Sequence, residues 1–82
     1  MKLVELYYSD TCHDCHDIRR ILREVLPQGT KFKEINTSYP EGKERAAKLG
    51  ILSVPTVAVD GEVLIVGRAT KEEIIRELRL GT

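Results

Sequence analysis

The only two cysteines of the chain stand at Cys12 and Cys15. They fall where an apolar run, Leu3 to Tyr8, gives way to a helix-patterned stretch. That junction constrains the fold more than any other feature. A spacing of three is close to one helical turn, so both sulfurs land on one side of the helix start. They are then near enough to close a disulfide with little backbone movement. The first sulfur would lie beside unpaired backbone N–H groups at the positive end of the helix dipole, which favours the thiolate. The thiolate is the attacking species in disulfide exchange.

With 82 residues, the chain is expected to be one small domain over 1–82, with a core but little to spare for a second function. It carries 13 basic and 13 acidic residues. Nothing in that balance points to a nucleic-acid footprint, which would need a basic excess on one face. No apolar stretch approaches a membrane span, and no signal peptide precedes the first strand. A cytoplasmic monomer is the expectation. In the cytosol a lone cysteine pair points to catalysis or metal binding before a structural staple. Gln28 and Asn36 are the only side-chain amides, and 32% of residues are charged, a composition that leans toward a thermophile.

Lys2 to Tyr8 reads as a strand, and its nearly continuous apolar run suits a central strand covered on both faces. Ser9-Asp10-Thr11 is a loop. From His13 to Leu26 the apolar positions Ile18, Ile21, Leu22, Val25 and Leu26 make one helix face, with Arg19, Arg20, Arg23 and Glu24 on a solvated opposite face. Pro27 and Gly29 end that helix. Thr30 to Asn36 reads as an edge strand whose Lys31, Lys33 and Glu34 discourage pairing with another chain. Pro40 to Leu49 is a short helix stopped by Gly50. Thr56–Val59 and Glu62–Val66 are strands joined by an Asp60-Gly61 hairpin turn. Thr70-Lys71-Glu72-Glu73 fits a capping box, followed by Ile74, Ile75, Leu78 and Leu80 on a last helix ended by Gly81. The order β-α-β-α-β-β-α implies an α/β fold: a four-stranded mixed sheet with helices on both faces and a right-handed first crossover.

Three features agree in order and spacing: Cys12-x-x-Cys15 after the first strand, Ser53-Val54-Pro55-Thr56 before the third, and Val66-Gly67 between the fourth and the last helix. On these the chain resembles the thioredoxin/glutaredoxin-like superfamily over nearly its full length. It is similar to the short thioredoxin-like proteins of archaea and to the glutaredoxin-like electron donors of ribonucleotide reductase. The resemblance implies a thioredoxin fold and a thiol–disulfide oxidoreductase that reduces protein disulfides. Cys12 would be the exposed nucleophile and Cys15 the buried resolving thiol. Pro55 would sit in a cis peptide bond, with the Val54 backbone pairing to an extended substrate segment. Thr11, His13 and Gly67 are the further candidate substrate-binding residues. No bound cofactor is implied, because the cysteine pair carries the electrons. The implied partners are disulfide-bearing proteins and a thioredoxin reductase-like donor.

The chain departs from its relatives at several positions. Thr11 stands where thioredoxins usually carry Trp, and Leu6 where they usually carry a buried Asp. Glutathione-binding glutaredoxins tend to have a basic residue before the motif and an acid at the start of the last helix. Here those stretches read Asp10-Thr11 and Val66-Gly67-Arg68-Ala69-Thr70.

Two alternatives frame the reading: a glutathione-dependent glutaredoxin, and a non-catalytic module that binds metal or docks a partner. For zinc, His13 and His16 bracket Cys15 too tightly for four ligands to converge, and a distant ligand pair is absent. Cys12-His13-Asp14-Cys15-His16 also matches the c-type haem attachment pattern. However, the only Met is Met1, and no distant His offers a second axial ligand. His13 reads either as a cation beside the thiolate or as a solvated first-turn residue. Asp10, Asp14 and Asp17 favour the helix dipole but oppose ionisation of Cys12.

Overall fold

Side-chain alternation along the first strand sets the layers of the molecule. In the computed structural model, which describes residues 3–80, strand β1 (Leu3–Tyr8) is followed by α1 (His13–Val25), β2 (Lys31–Asn36), α2 (Pro40–Lys48), β3 (Thr56–Val59), β4 (Glu62–Val66) and α3 (Lys71–Glu77). The sheet order is β2-β1-β3-β4. β1 pairs parallel with β2 and antiparallel with β3, and β3 pairs antiparallel with β4. The expected fold class and topology are therefore present, with β2 at an edge. Lys2 and Gly81 lie outside the described residues.

Val4 and Leu6 of β1 pack with Ile18 and Leu22 of α1, Val57, Ile65, and Ile74 and Leu78 at α3. Tyr7 points the other way and packs with Ala46 of α2 and Ala58. Each face of β1 thus meets helices, as its apolar run requires. Glu5 is the exception to that run, and it is only 2% exposed. It accepts hydrogen bonds from the Tyr7 hydroxyl at 3.1 Å and from Arg45 Nε at 2.7 Å, with Arg45 Nη2 adding a second contact. A buried carboxylate is tolerable only when paired and hydrogen-bonded in this way. Burial, then the Glu5 charge, pushes the Tyr7 phenol above its ordinary value of 10.0.

Turn and cap chemistry close the elements. Asp60 and Gly61 both take positive φ, 49° and 84°, as a two-residue hairpin turn demands. Asp60 also ties back to Leu3, accepting its N–H on Oδ1 at 2.8 Å and donating its own N–H to the Leu3 carbonyl at 2.8 Å. The capping box at Thr70 and Glu73 is formed in both directions. The last helix ends earlier than its apolar spacing suggested. Glu77 is its final residue, and Leu80 lies beyond it. The Arg79 N–H donates to the Arg76 carbonyl at 3.1 Å and the Leu80 N–H to the Ile75 carbonyl at 2.8 Å. This is the Schellman arrangement, with Arg79 at φ 57° in the left-handed position usually held by glycine. Among the described residues no helix is long and apolar enough to cross a membrane.

Two substitutions have opposite expected signs. α2 crosses so close to the end of β2 that a Cβ on Gly42 would lie 2.0 Å from the Asn36 carbonyl oxygen. Gly42→Ala is therefore expected to destabilise by about 2 kcal/mol through overpacking, although Ala is the better helix former. Arg79→Gly relieves a left-handed backbone and should stabilise by about 0.5 kcal/mol, net of glycine's extra freedom in the unfolded chain. Urea-denaturation midpoints check both.

The pH dependence of the last helix also has a defined sign. The Thr70 backbone N–H, then its hydroxyl, hold the Glu73 carboxyl below the usual 4.5. A depressed folded value contributes stability above the unfolded pKa and loses it as pH falls through the folded one. α3 should therefore loosen below about pH 4.5. Glu73→Gln should flatten that part of the acid-unfolding curve followed by circular dichroism.

Candidate active site

Helix α1 begins at the cysteines because Cys12 itself is its N-cap. Its backbone is extended (φ −91°, ψ 106°), and its sulfur accepts the Cys15 N–H at 3.1 Å. Ser, Thr, Asp or Asn oxygens usually fill this role. Here a sulfur occupies it, at the positive end of the helix dipole. Cys12 and Cys15 are joined as a disulfide with Cα atoms 5.3 Å apart. Their exposures differ: Cys12 is half-buried, and Cys15 is 2% exposed. Thr11 and His13, on either side of Cys12, are exposed.

The loop that carries Cys12 is tied down by its neighbour. The Thr37 N–H and hydroxyl both donate to the Tyr8 carbonyl, at 2.7 and 3.0 Å. The Asp10 N–H donates to Ser38 Oγ at 3.1 Å, Asn36 Nδ2 to Asp10 Oδ1 at 2.7 Å, and the Ser38 N–H to Asn36 Oδ1 at 2.8 Å. Asp10 therefore binds the loop after β1 to the loop after β2. As a sequence it read only as a charge near the helix start. Parallel pairing of β1 with β2 puts these two loops side by side, a juxtaposition that local sequence does not carry.

The remaining candidate residues arrive at the same end of the sheet. Thr56 opens β3 opposite Tyr7, and Val66 closes β4 opposite Thr56. The Val54–Pro55 peptide bond is cis. The Thr56 hydroxyl closes that turn onto the Ser53 carbonyl at 2.8 Å. The Gly67 N–H donates to the Pro55 carbonyl at 2.8 Å, and Gly67 takes φ 85°. Val54, Pro55 and Gly67 are thus joined through backbone. Arg68, next in the chain, lies 3.7 Å from Asp14 between the two cysteines, in an exposed ion pair.

Arg19 is where the structure corrects the sequence reading. The helix pattern puts it on a solvated face, yet its side chain is 19% exposed. The guanidinium stacks 4.6 Å from the Tyr8 ring centroid. Nε lies 2.7 Å from Glu34 Oε1, off the hydrogen-bonding line, so the contact is a charge pair. Arg23 Nη2 donates to the other Glu34 oxygen at 2.6 Å. Tyr8, Arg19 and Glu34 line a cleft of about 300 Å³ with Cys12, Cys15 and His16. The available signal was the four-residue step from Cys15 to Arg19. Glu34 becomes a neighbour only through its pairing with Leu6 across the sheet. Val54 lines a separate groove of about 390 Å³ with Ala46, Ile51 and Leu52, and Leu52 is 99% exposed.

Comparison with known proteins agrees with this geometry. A family model described as the thioredoxin domain matches residues 2–79. A thioredoxin of Methanocaldococcus jannaschii is 30% identical over 79 residues, covering 93% of this chain and 91% of that protein. The crystal structure of the thioredoxin-like protein BC3987 superposes with a TM-score of 0.70 at 22% identity, covering 90% of this chain and 97% of that one. A chain in the complex of ferredoxin:thioredoxin reductase and thioredoxin f2 gives a TM-score of 0.73 at 24% identity, covering 94% and 74%. The chain thus belongs to the thioredoxin-domain family and is a thiol–disulfide oxidoreductase.

Proposed function

We propose that the protein reduces disulfides in other proteins, with Cys12 as the attacking thiol and Cys15 as the resolving one. The observation that carries this is the asymmetry of the pair: a half-buried sulfur capping a helix, and a buried sulfur one turn inside. In the reduced protein the Cys12 thiolate bonds to one sulfur of the partner disulfide and expels the other as a thiolate, which takes up a proton. Cys15, as thiolate, then bonds to Cys12 Sγ. The bond from Cys12 to the partner breaks, and the partner leaves with its second thiolate. Two electrons pass from the cysteine pair to the partner. The exposed Thr11 and His13 flank the attack site. The turn at Val54, Pro55 and Gly67 offers backbone against which an extended substrate segment pairs. The cysteines carry the electrons without a bound cofactor. The reductive direction fits a cytosolic setting, where thiols are kept reduced. The shortage of side-chain amides supports a thermophilic source.

The assignment of roles is checked in two ways. Cys15→Ser should trap partners as mixed disulfides on Cys12, whereas Cys12→Ser should trap none. Brief alkylation of the reduced protein should label Cys12 first. Preferential labelling of Cys15 would reverse the roles.

Electrons return from a protein reductase of the thioredoxin reductase type rather than from glutathione. Glutathione is a small charged peptide, and its binding depends on placed charges. Asp10 offers an acid where its carboxylate wants a cation. At the start of α3, Arg68 and Thr70 stand where its amino group wants an acid, and Thr70 is occupied in capping. A fold neighbour from a complex with ferredoxin:thioredoxin reductase supports a protein donor. In coupled assays at equal reducing power, turnover is expected with a protein reductase and weak or absent turnover with glutathione. The reverse result would make the protein a glutaredoxin in function.

A further inference from the structure

Cys15 and Arg19 are four residues apart on α1 and therefore neighbours on one helix face. Helical side chains lean toward the N-terminus, the direction in which Cys15 lies from Arg19. Both line the same cleft with Cys12. The Tyr8 ring and Glu34 hold the guanidinium in place. Arg23 also pairs with Glu34, so one carboxylate faces two guanidiniums and the cluster keeps a net positive charge.

The exchange chemistry has a use for that charge. Cys15 is 2% exposed, and burial disfavours a thiolate. Yet closing the Cys12–Cys15 bond needs Cys15 ionised. β1 supplies no titratable group on this face below Tyr8: Val4 and Leu6 are apolar, and Glu5 is paired with Arg45 on the far side. α3 presents Ile74 and Leu78. The remaining charged or titratable groups near the pair are His13, Asp14, His16 and Asp17 on α1, with Asp17 in an exposed pair with Arg20, Asp10 on the preceding loop, and Arg68 against Asp14. Asp10, Asp14 and Asp17 oppose ionisation, which leaves Arg19 as the permanent cation lining the cleft.

We propose that Arg19 is a positioning residue of the exchange reaction: its guanidinium, clamped by Tyr8 and Glu34, sets the potential under which buried Cys15 ionises and closes on Cys12. The proposal rests on the assignment of Cys15 as the resolving thiol. Ionisation passes the Cys15 proton to solvent. The thiolate then bonds to Cys12 Sγ, and the partner sulfur departs with the electron pair of the broken bond. Arg19 neither gives nor takes a proton.

A Cys12→Ser protein isolates Cys15, whose thiolate is followed by its ultraviolet absorbance as pH is raised. Adding Arg19→Met should raise the Cys15 pKa by about one unit, a tenfold loss of thiolate below both values. Arg19→Lys keeps the charge and should restore most of the ionisation. Glu34→Gln removes the opposing carboxylate and should lower the Cys15 pKa. An unmoved titration in Arg19→Met, or an equal rise with Met and Lys, would overturn the proposal, since packing alone would then explain Arg19. If Arg19→Met does not fold, Glu34→Gln decides: an unchanged or raised pKa overturns it. The titration involves no partner, so it separates the proposal from the reading beneath it. Expected trapping on Cys12 with an unmoved titration defeats the proposal alone. Trapping on Cys15 with the expected titration defeats the assignment of roles and, with it, the proposal.

Discussion

The rest of the molecule depends on β1 being paired along both edges and covered on both faces. Its parallel pairing with β2 brings the loops after the two strands together, where Asp10, Asn36 and Ser38 knit into one hydrogen-bonded unit. Its antiparallel pairing with β3 brings the Pro55 turn to the same end of the sheet. The cysteine pair needs both. A disulfide at the tip of an untethered loop would lose the orientation that makes one sulfur accessible and the other protected. The redox site is therefore a consequence of strand order as much as of the two cysteines.

Among the described residues, charge enters the layers with partners of opposite sign. Glu5 is buried against Arg45 and the Tyr7 hydroxyl, and Arg19 is drawn in against Tyr8 and Glu34. The exposed pairs Asp17–Arg20 and Glu44–Lys48 are different in kind. Solvent screens them, and pairs of that sort contribute between nothing and about 1 kcal/mol. The chain is rich in charge, yet few of its charges shape the fold. Those that do sit where a strand face or helix face offers them a partner and little water.

Much of the architecture was legible because each element carries its own local signal. The helix period from Ile18 to Leu26, the Asp60-Gly61 turn and the Thr70–Glu73 capping box all act within a few residues, and each appears where its residues require it. α3 stops short of its apolar pattern because Leu80 keeps the spacing while Arg79, not a glycine, takes the left-handed position that stops the helix. Gly42 gave no local hint at all. Its need to lack a side chain comes from the Asn36 carbonyl, which only strand packing puts against it. Glu5 read as one charge in an apolar strand, and nothing nearby in the chain announced Arg45 as its partner.

The sequence by itself determined the order of the elements, the turn and cap positions, and a cysteine spacing that closes on one turn of helix. These follow from backbone geometry and side-chain period, which act between near neighbours. Only the tertiary structure decided what joins the cysteines at that end: Glu34 clamping Arg19 in their cleft, Asp10 tethered to the loop after β2, and the Pro55 turn at the same sheet end. Those groups come from β2, the loop after it and the turn before β3, across pairings that span much of the chain. Electrostatic and hydrogen-bond environments depend on distance in space, and sequence distance is a poor guide to it once a parallel crossover has folded.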